Sequence, residues 1–117
     1  MQVERDRGME RWLSAWLGDQ ASPALDAFEW DSGNSDKSTL KHGVTPALTM
    51  QLFAHPFVLT GRIVGPVEPR WILLGKGGRA GRGLALIFTI RGKLLRPISC
   101  RPMRDGETRR YEEAIED

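Results

Sequence analysis

Four short runs, "FVLTGRIV", "RWILLG", "LALIFTIRG" and "LLRPISC", follow one another between residues 57 and 100, divided by breaks that carry Gly or Pro. Each is of strand length and rich in β-branched, aromatic and aliphatic residues, so the spacing predicts an antiparallel meander. The flanking chain supplies helices to cover it. "MERWLSAWLGD" sets Met9, Trp12, Leu13, Trp16 and Leu17 at i, i+3, i+4, i+7 and i+8, one apolar stripe of a helix that Gly18 can stop. "DQASPA" reads as a linker, and "LDAFEWD" as a short strand with Phe28 and Trp30 on one face. A polar helix is expected from about Ser32 to His42, with Gly43 as its left-handed C-terminal residue. Thr45 and Pro46 suit a helix start, and the run to about Ala54 is apolar on all sides. Asp105 is the expected N-cap of a last helix, "GETRRYEEAIED". The sum is an α+β fold, with helices gathered against one antiparallel sheet.

A chain of 117 residues suits one domain with a single core. The unmatched apolar surfaces of the first helix and of residues 46–54 are expected to cover each other, within the chain or between two copies as a homodimer. The N-terminus is too charged for a signal peptide, and no apolar run approaches transmembrane length, so the expectation is a cytoplasmic protein without membrane contact. Cys100 stands alone, which excludes an intrachain disulfide, and its neighbours suggest a small buried thiol.

The net charge of +2 hides a division. Residues 1–61 hold five Lys/Arg against eight Asp/Glu, a net of −3. Residues 62–110 hold twelve against three, a net of +9, and the last seven return −4. Such asymmetry within one domain points to a nucleic acid or an acidic protein partner.

The loop "GKGGRAGRG" has five glycines with Lys76, Arg79 and Arg82. It lacks the Lys-Ser/Thr ending of a P-loop, and a strand follows where a dinucleotide site needs a helix. It remains either a hairpin tip or a basic finger that grips phosphates. His42, in "LKHG", has the side chain suited to proton transfer near neutral pH; His55, before a proline, is a weaker candidate. Glu107 can serve as a base or as the partner of neighbouring arginines. No His-Glu-x-x-His and no spaced Cys/His set indicates a metal site, and no cofactor is implied. Metal-free RNA cleavage fits this inventory. The 2′-hydroxyl is itself the nucleophile, and arginine forks are suited to charge on phosphate oxygens. A non-catalytic nucleic-acid binder explains the same charge.

"FEWDSGNSDKSTLKHGV" resembles the opening of the BrnT family of bacterial toxins, typically "F-x-W-D-x-x-N-x-x-K-x-x-x-K-H-G-V", at Phe28, Trp30, Asp31, Asn34, Lys37, Lys41, His42, Gly43 and Val44. Downstream, Arg96, Pro97, Ile98, Ser99, Arg101, Met103, Glu107, Arg110, Tyr111 and Glu112 meet the fragment "R-P-I-S-A-R-x-M-x-x-x-E-x-R-x-Y-E", with one position of slack at the arginine pair. The resemblance runs from about residue 26 to 113. It implies a RelE-like fold, a ribonuclease toxin domain over 25–117 with an added helix and linker over 1–24, and endoribonuclease activity on single-stranded RNA. It implies as partners RNA and a BrnA-like ribbon-helix-helix antitoxin, with operator DNA reached only through the antitoxin. The family keeps basic residues at His42, Arg70, Arg82, Arg91, Arg96 and Arg101, which with Glu107 are the catalytic candidates. Lys41, Lys76, Arg79, Lys93, Arg104 and Arg110 are the candidate RNA contacts. The chain departs from the family after "HGV". A Glu-rich helix is replaced by "TPALTMQLFAHP", and an aspartate before the proline by His55. An inactive relative that binds RNA or antitoxin, and a fold reused purely for assembly, are the alternatives.

Overall fold

Strands β2 (Val58–Ile63), β3 (Trp71–Gly77), β4 (Arg82–Arg91) and β5 (Leu94–Pro102) occupy the four predicted runs in a computed structural model that describes residues 2–18 and 23–115. A two-residue β1 (Val3–Glu4) pairs outside β2, so the sheet order is β1-β2-β3-β4-β5, antiparallel throughout. Two residues are too short for a periodic signal, and β1 was not expected. Its approach requires glycine at position 61: a Cβ there would lie 2.0 Å from the Glu4 carbonyl oxygen.

Four helices complete the α+β fold: α1 (Arg7–Leu17), α2 (Lys37–His42), α3 (Pro46–Gln51) and α4 (Asp105–Ile115). Gly18 ends α1 and Gly43, at φ 69°, ends α2, as the sequence suggests. Thr45 caps α3 by accepting from the Leu48 N–H, and the final turn, Leu52–Ala54, tightens to 3₁₀. The expected strand "LDAFEWD" is corrected. Residues 25–27 form a 3₁₀ turn, and Phe28 makes only a single parallel bridge to Leu95. The polar helix begins at Lys37, five residues later than expected, because the Asp31 carbonyl and carboxylate hold residues 33–35 in a turn. Asp105 is the first helical residue of α4, not its cap. The linker reading of residues 19–22 lies outside the described residues.

The sheet buries both faces, unequally. On the first face Leu73, Leu84, Leu86, Phe88, Leu95 and Cys100 lie under Met9 and Leu13 of α1, Phe28, Val44 and the Leu52–Phe53 turn. On the second face Ile72, Leu74 and Ala85 meet Tyr111 of α4. The α1 stripe covers the end of the predicted 46–54 helix within the chain, with Trp16 edge-on to both Phe53 and Phe28 at 5.2 Å. Full burial of Leu13, 2% exposed, is worth about 1.5–3 kcal/mol.

Asp6 fixes where α1 begins. One carboxylate oxygen accepts from the Met9 N–H at 3.0 Å, and the other accepts from the Trp71 indole N–H at 2.9 Å, tying the helix start to β3. The Trp71 indole and then the Met9 amide hold the Asp6 carboxyl below its ordinary pKa. Asp6→Ala should therefore cost about 2–3 kcal/mol, from a lost N-cap and an unpaired indole N–H. A lowered folded pKa contributes stability that is complete above the usual carboxylate range and is lost as pH falls through the folded value. In urea titrations the gap between parent and variant should be widest near neutrality and close in acid. A gap independent of pH would show that Asp6 acts without its charge.

Candidate active site and the framework around it

The segment from Phe28 to Gly43 carries most of the first motif, and it lies along the outer edge of β5 through side chains rather than a ladder. Buried Asn34 donates from Nδ2 to the carbonyls of Pro97 at 2.7 Å and Glu29 at 3.0 Å, while its Oδ1 accepts from the Asp31 N–H at 2.8 Å. Ser38 Oγ accepts from the Cys100 N–H at 2.8 Å. These bonds take up edge groups that a further strand would otherwise pair.

Two arginine forks extend from β5, one to the first motif and one to the start of α4. Arg96, with a side chain 12% exposed, donates to both Asp31 oxygens at 2.9 and 3.1 Å and to Glu29 at 3.0 Å. Arg91 reaches the same Glu29 oxygen at 3.2 Å and Glu68 at 3.5 Å. Arg101 forks onto Glu107 at 2.7 and 2.9 Å, and Glu107 also accepts from the Arg104 N–H at 2.8 Å, half of a capping box that starts α4. Burial works to raise the Glu107 pKa, but the Arg101 guanidinium and the Arg104 amide outweigh it and hold the carboxyl below its ordinary value. Arg96, followed by the Gly33 amide, likewise holds Asp31 low. These carboxylates are ionised and committed, hence weak bases.

The strand register divides the other candidates between the faces. Residues paired across antiparallel strands share a face. Arg101 opposes Ala85 and Arg96 opposes Thr89, which puts both on the second face; Arg91 and Arg70 share that face by alternation from Ile87 and Ile72. Arg82 opposes Gly77, whose Cβ position meets Leu48 of α3, so Arg82 lies on the first face. There its Nη2 donates to the His42 carbonyl at 2.9 Å. The structure thus brings together His42, at the end of α2, Arg82, and exposed Lys41 next in the chain. Arg91 lies nine residues further along β4, about 30 Å away at ordinary strand rise.

The expected RNA contacts are also dispersed. Lys76 and Arg79 stand at the β3–β4 turn, Lys93 at the β4–β5 turn at the far end of the sheet, and Arg104 and Arg110 at and within α4. All five are exposed. Arg70 is half-buried, and its Nε has no partner among the described residues. Cys100 is 1% exposed and burial pushes its pKa up to about 11, consistent with an inert thiol. The roles of Asn34 and Ser38 were missed as structure; the only signal was their place inside the first motif.

The family model for BrnT, the ribonuclease toxin of type II toxin–antitoxin systems, matches residues 30–107. The chain belongs to the BrnT family. No curated protein and no solved structure matches it. Within the matched BrnT region, the Asp31–Arg96 pair joins the two motifs across 65 residues and the Arg101–Glu107 pair joins β5 to the start of α4, so part of the motif has a direct framework explanation. β1, α1 and most of α4 lie outside the match.

Arg101 and Glu107 make the framework role measurable. Each side chain is less than one-fifth exposed, so Arg101→Ala or Glu107→Ala should cost about 2–3 kcal/mol by leaving a partly buried charge unpaired. The double variant should cost less than the sum, with a coupling of about 1–3 kcal/mol in a denaturation cycle. Simple additivity would remove the pair from the framework.

Proposed function

We propose that this BrnT-family chain is a metal-independent endoribonuclease acting on single-stranded RNA, the toxin of a type II pair, with His42 and Arg82 at its reacting centre. The observation that carries this is the bond from the Arg82 guanidinium to the backbone carbonyl of His42, the residue that bears the one candidate imidazole in the first motif. The remaining Arg82 donors have no protein partner among the described residues.

The chemistry follows from RNA itself. His42 takes the proton of a 2′-hydroxyl, whose oxygen attacks the adjacent phosphorus. The P–O5′ bond breaks, leaving a 2′,3′-cyclic phosphate, and the departing O5′ takes up a proton. Arg82 and Lys41 balance the added charge on the phosphorane oxygens, since a guanidinium keeps its proton and offers several donors to phosphate. No group of three or more His, Cys, Asp or Glu among the described residues is placed to hold a metal ion, and the carboxylates nearest the motif arginines are engaged. That donor set favours proton transfer and cationic stabilisation over metal-assisted hydrolysis.

In this assignment Arg96, Arg101 and Glu107 position rather than react, and Arg70 is available for a phosphate along the second face. Residues 25–117 make up the toxin unit, with 1–24 as its added helix and linker, and α1 completes the core. A BrnA-like ribbon-helix-helix antitoxin neutralises the enzyme and carries it to operator DNA, all in the cytoplasm where mRNA is cut. Among the described residues no helix is long and apolar enough to cross a membrane.

His42→Ala should lower cleavage of a single-stranded RNA in EDTA by about a hundredfold to ten-thousandfold, with fold and RNA affinity retained. Arg82→Lys should recover more activity than Arg82→Ala. Equal cleavage by parent and His42→Ala would move the centre to the arginines of the second face. Binding without any cleavage by the parent would favour the inactive-relative alternative.

A further inference from the structure

The loss of acidic residues after the first motif has a structural counterpart at the turn of the β3–β4 hairpin, on the face that also carries Arg82. Two of the replacing residues dock the hairpin turn. Leu48 lies against Gly77 and Gly78, where an added Cβ would come within 3.1 and 3.2 Å of it, and the Gln51 side chain accepts from the Gly78 N–H at 2.9 Å. A glutamate at position 48 would put charge against the floor of this turn.

Beside the docked turn is a cavity of about 320 Å³, lined by His55, Lys76, Arg79, Tyr111 and turn glycines. Among the described residues, no carboxylate lines it. None of its three basic side chains has an acidic partner among the described residues, in contrast to the forks of Arg91, Arg96 and Arg101. Lys76 is held over the Tyr111 ring at 5.8 Å, which orients the ammonium without neutralising it, and the Tyr111 hydroxyl is fixed by donating to the Pro56 carbonyl at 3.0 Å. His55 stands where the family resemblance leads one to expect an aspartate. A carboxylate there would add negative charge to a wall of the cavity that Lys76 and Arg79 also line; the imidazole adds none.

We infer that this cavity is a phosphate subsite for single-stranded RNA, seating a backbone phosphate beside the one presented to His42 and Arg82. This rests on the proposed ribonuclease function and adds to it a second contact point on the substrate. Lys76 and Arg82 lie on opposite faces of the same hairpin end, Lys76 opposite Gly83 and Arg82 opposite Gly77. A strand crossing that end therefore meets both groups. Separating the scissile phosphate from an anchoring phosphate holds the reacting bond in place without adding a committed partner to the reacting guanidinium.

The test is binding of an uncleavable 2′-O-methyl oligoribonucleotide, followed by fluorescence anisotropy across a salt series, so the result does not depend on catalysis. The double variant Lys76→Gln/Arg79→Gln should bind about tenfold more weakly, as expected for loss of charge-assisted phosphate bonds. Its log–log salt slope should be shallower by about 0.7, the value for one phosphate on a single strand. His55→Asp should weaken binding in the same direction. Parent affinity and slope in the double variant would overturn the subsite. So would equal binding of a poly-glutamate probe lost in the same variants, which would assign the cavity to an acidic protein segment. A His42→Ala protein that still cleaves RNA would sink the assigned reacting centre while leaving the binding result to stand on its own.

Discussion

Asn34 holds the first motif to the last strand. Its side chain spans from the Asp31 amide to the carbonyls of Glu29 and Pro97, so residues 28–35 follow the β5 edge without a ladder. The Arg96–Asp31 fork closes the turn from one side, and Ser38 takes the Cys100 amide on the other. Everything proposed for His42 depends on this attachment. Helix α2 is only six residues long, too short to persist alone, and its end is placed by what anchors its start.

The same attachment explains why charge in this molecule must be divided before it is interpreted. The basic half of the sequence looks uniform, but three of its arginines balance acids of the other half or of α4. The Arg91 and Arg96 pairs join distant parts of the chain and the Arg101 pair joins β5 to α4, with little cation left over for a ligand. Lys76, Arg79 and Arg82 are different. They share one end of the β3–β4 hairpin and have no acidic partner among the described residues, so their field is directed outward, where a polyanion can use it. The α1 helix acts at another level. Its Trp16 closes the core over Phe28 and Phe53.

Much of the fold was legible because it rests on local pattern. Short β-rich runs divided by Gly or Pro marked the four long strands, and Gly18, Gly43 and Thr45-Pro46 marked helix ends through backbone freedom and capping. The segment "LDAFEWD" was misread as a strand because its alternation of Phe28 and Trp30 is real, while the ladder it implies is replaced by one side chain, Asn34, acting from beyond the run. The site was less legible. A list of basic residues carries no information on which face each occupies. The opposed placement of Arg82 and Arg101 came only from strand register, and the meeting of His55 with Lys76 joins positions 21 residues apart in sequence. The family match adds the ribonuclease-toxin class, and the geometry within it supports a division of labour among the arginines.

The chemistry of the cut distinguishes attack by the 2′-hydroxyl from attack by water. Purified protein should cleave single-stranded RNA in EDTA and leave 2′,3′-cyclic phosphate and 5′-hydroxyl ends, identified by mass spectrometry of the fragments. Cleavage that requires a divalent metal, or that leaves 5′-phosphate ends, would contradict the proposed mechanism, because a hydrolytic water would then have replaced the 2′-hydroxyl as nucleophile.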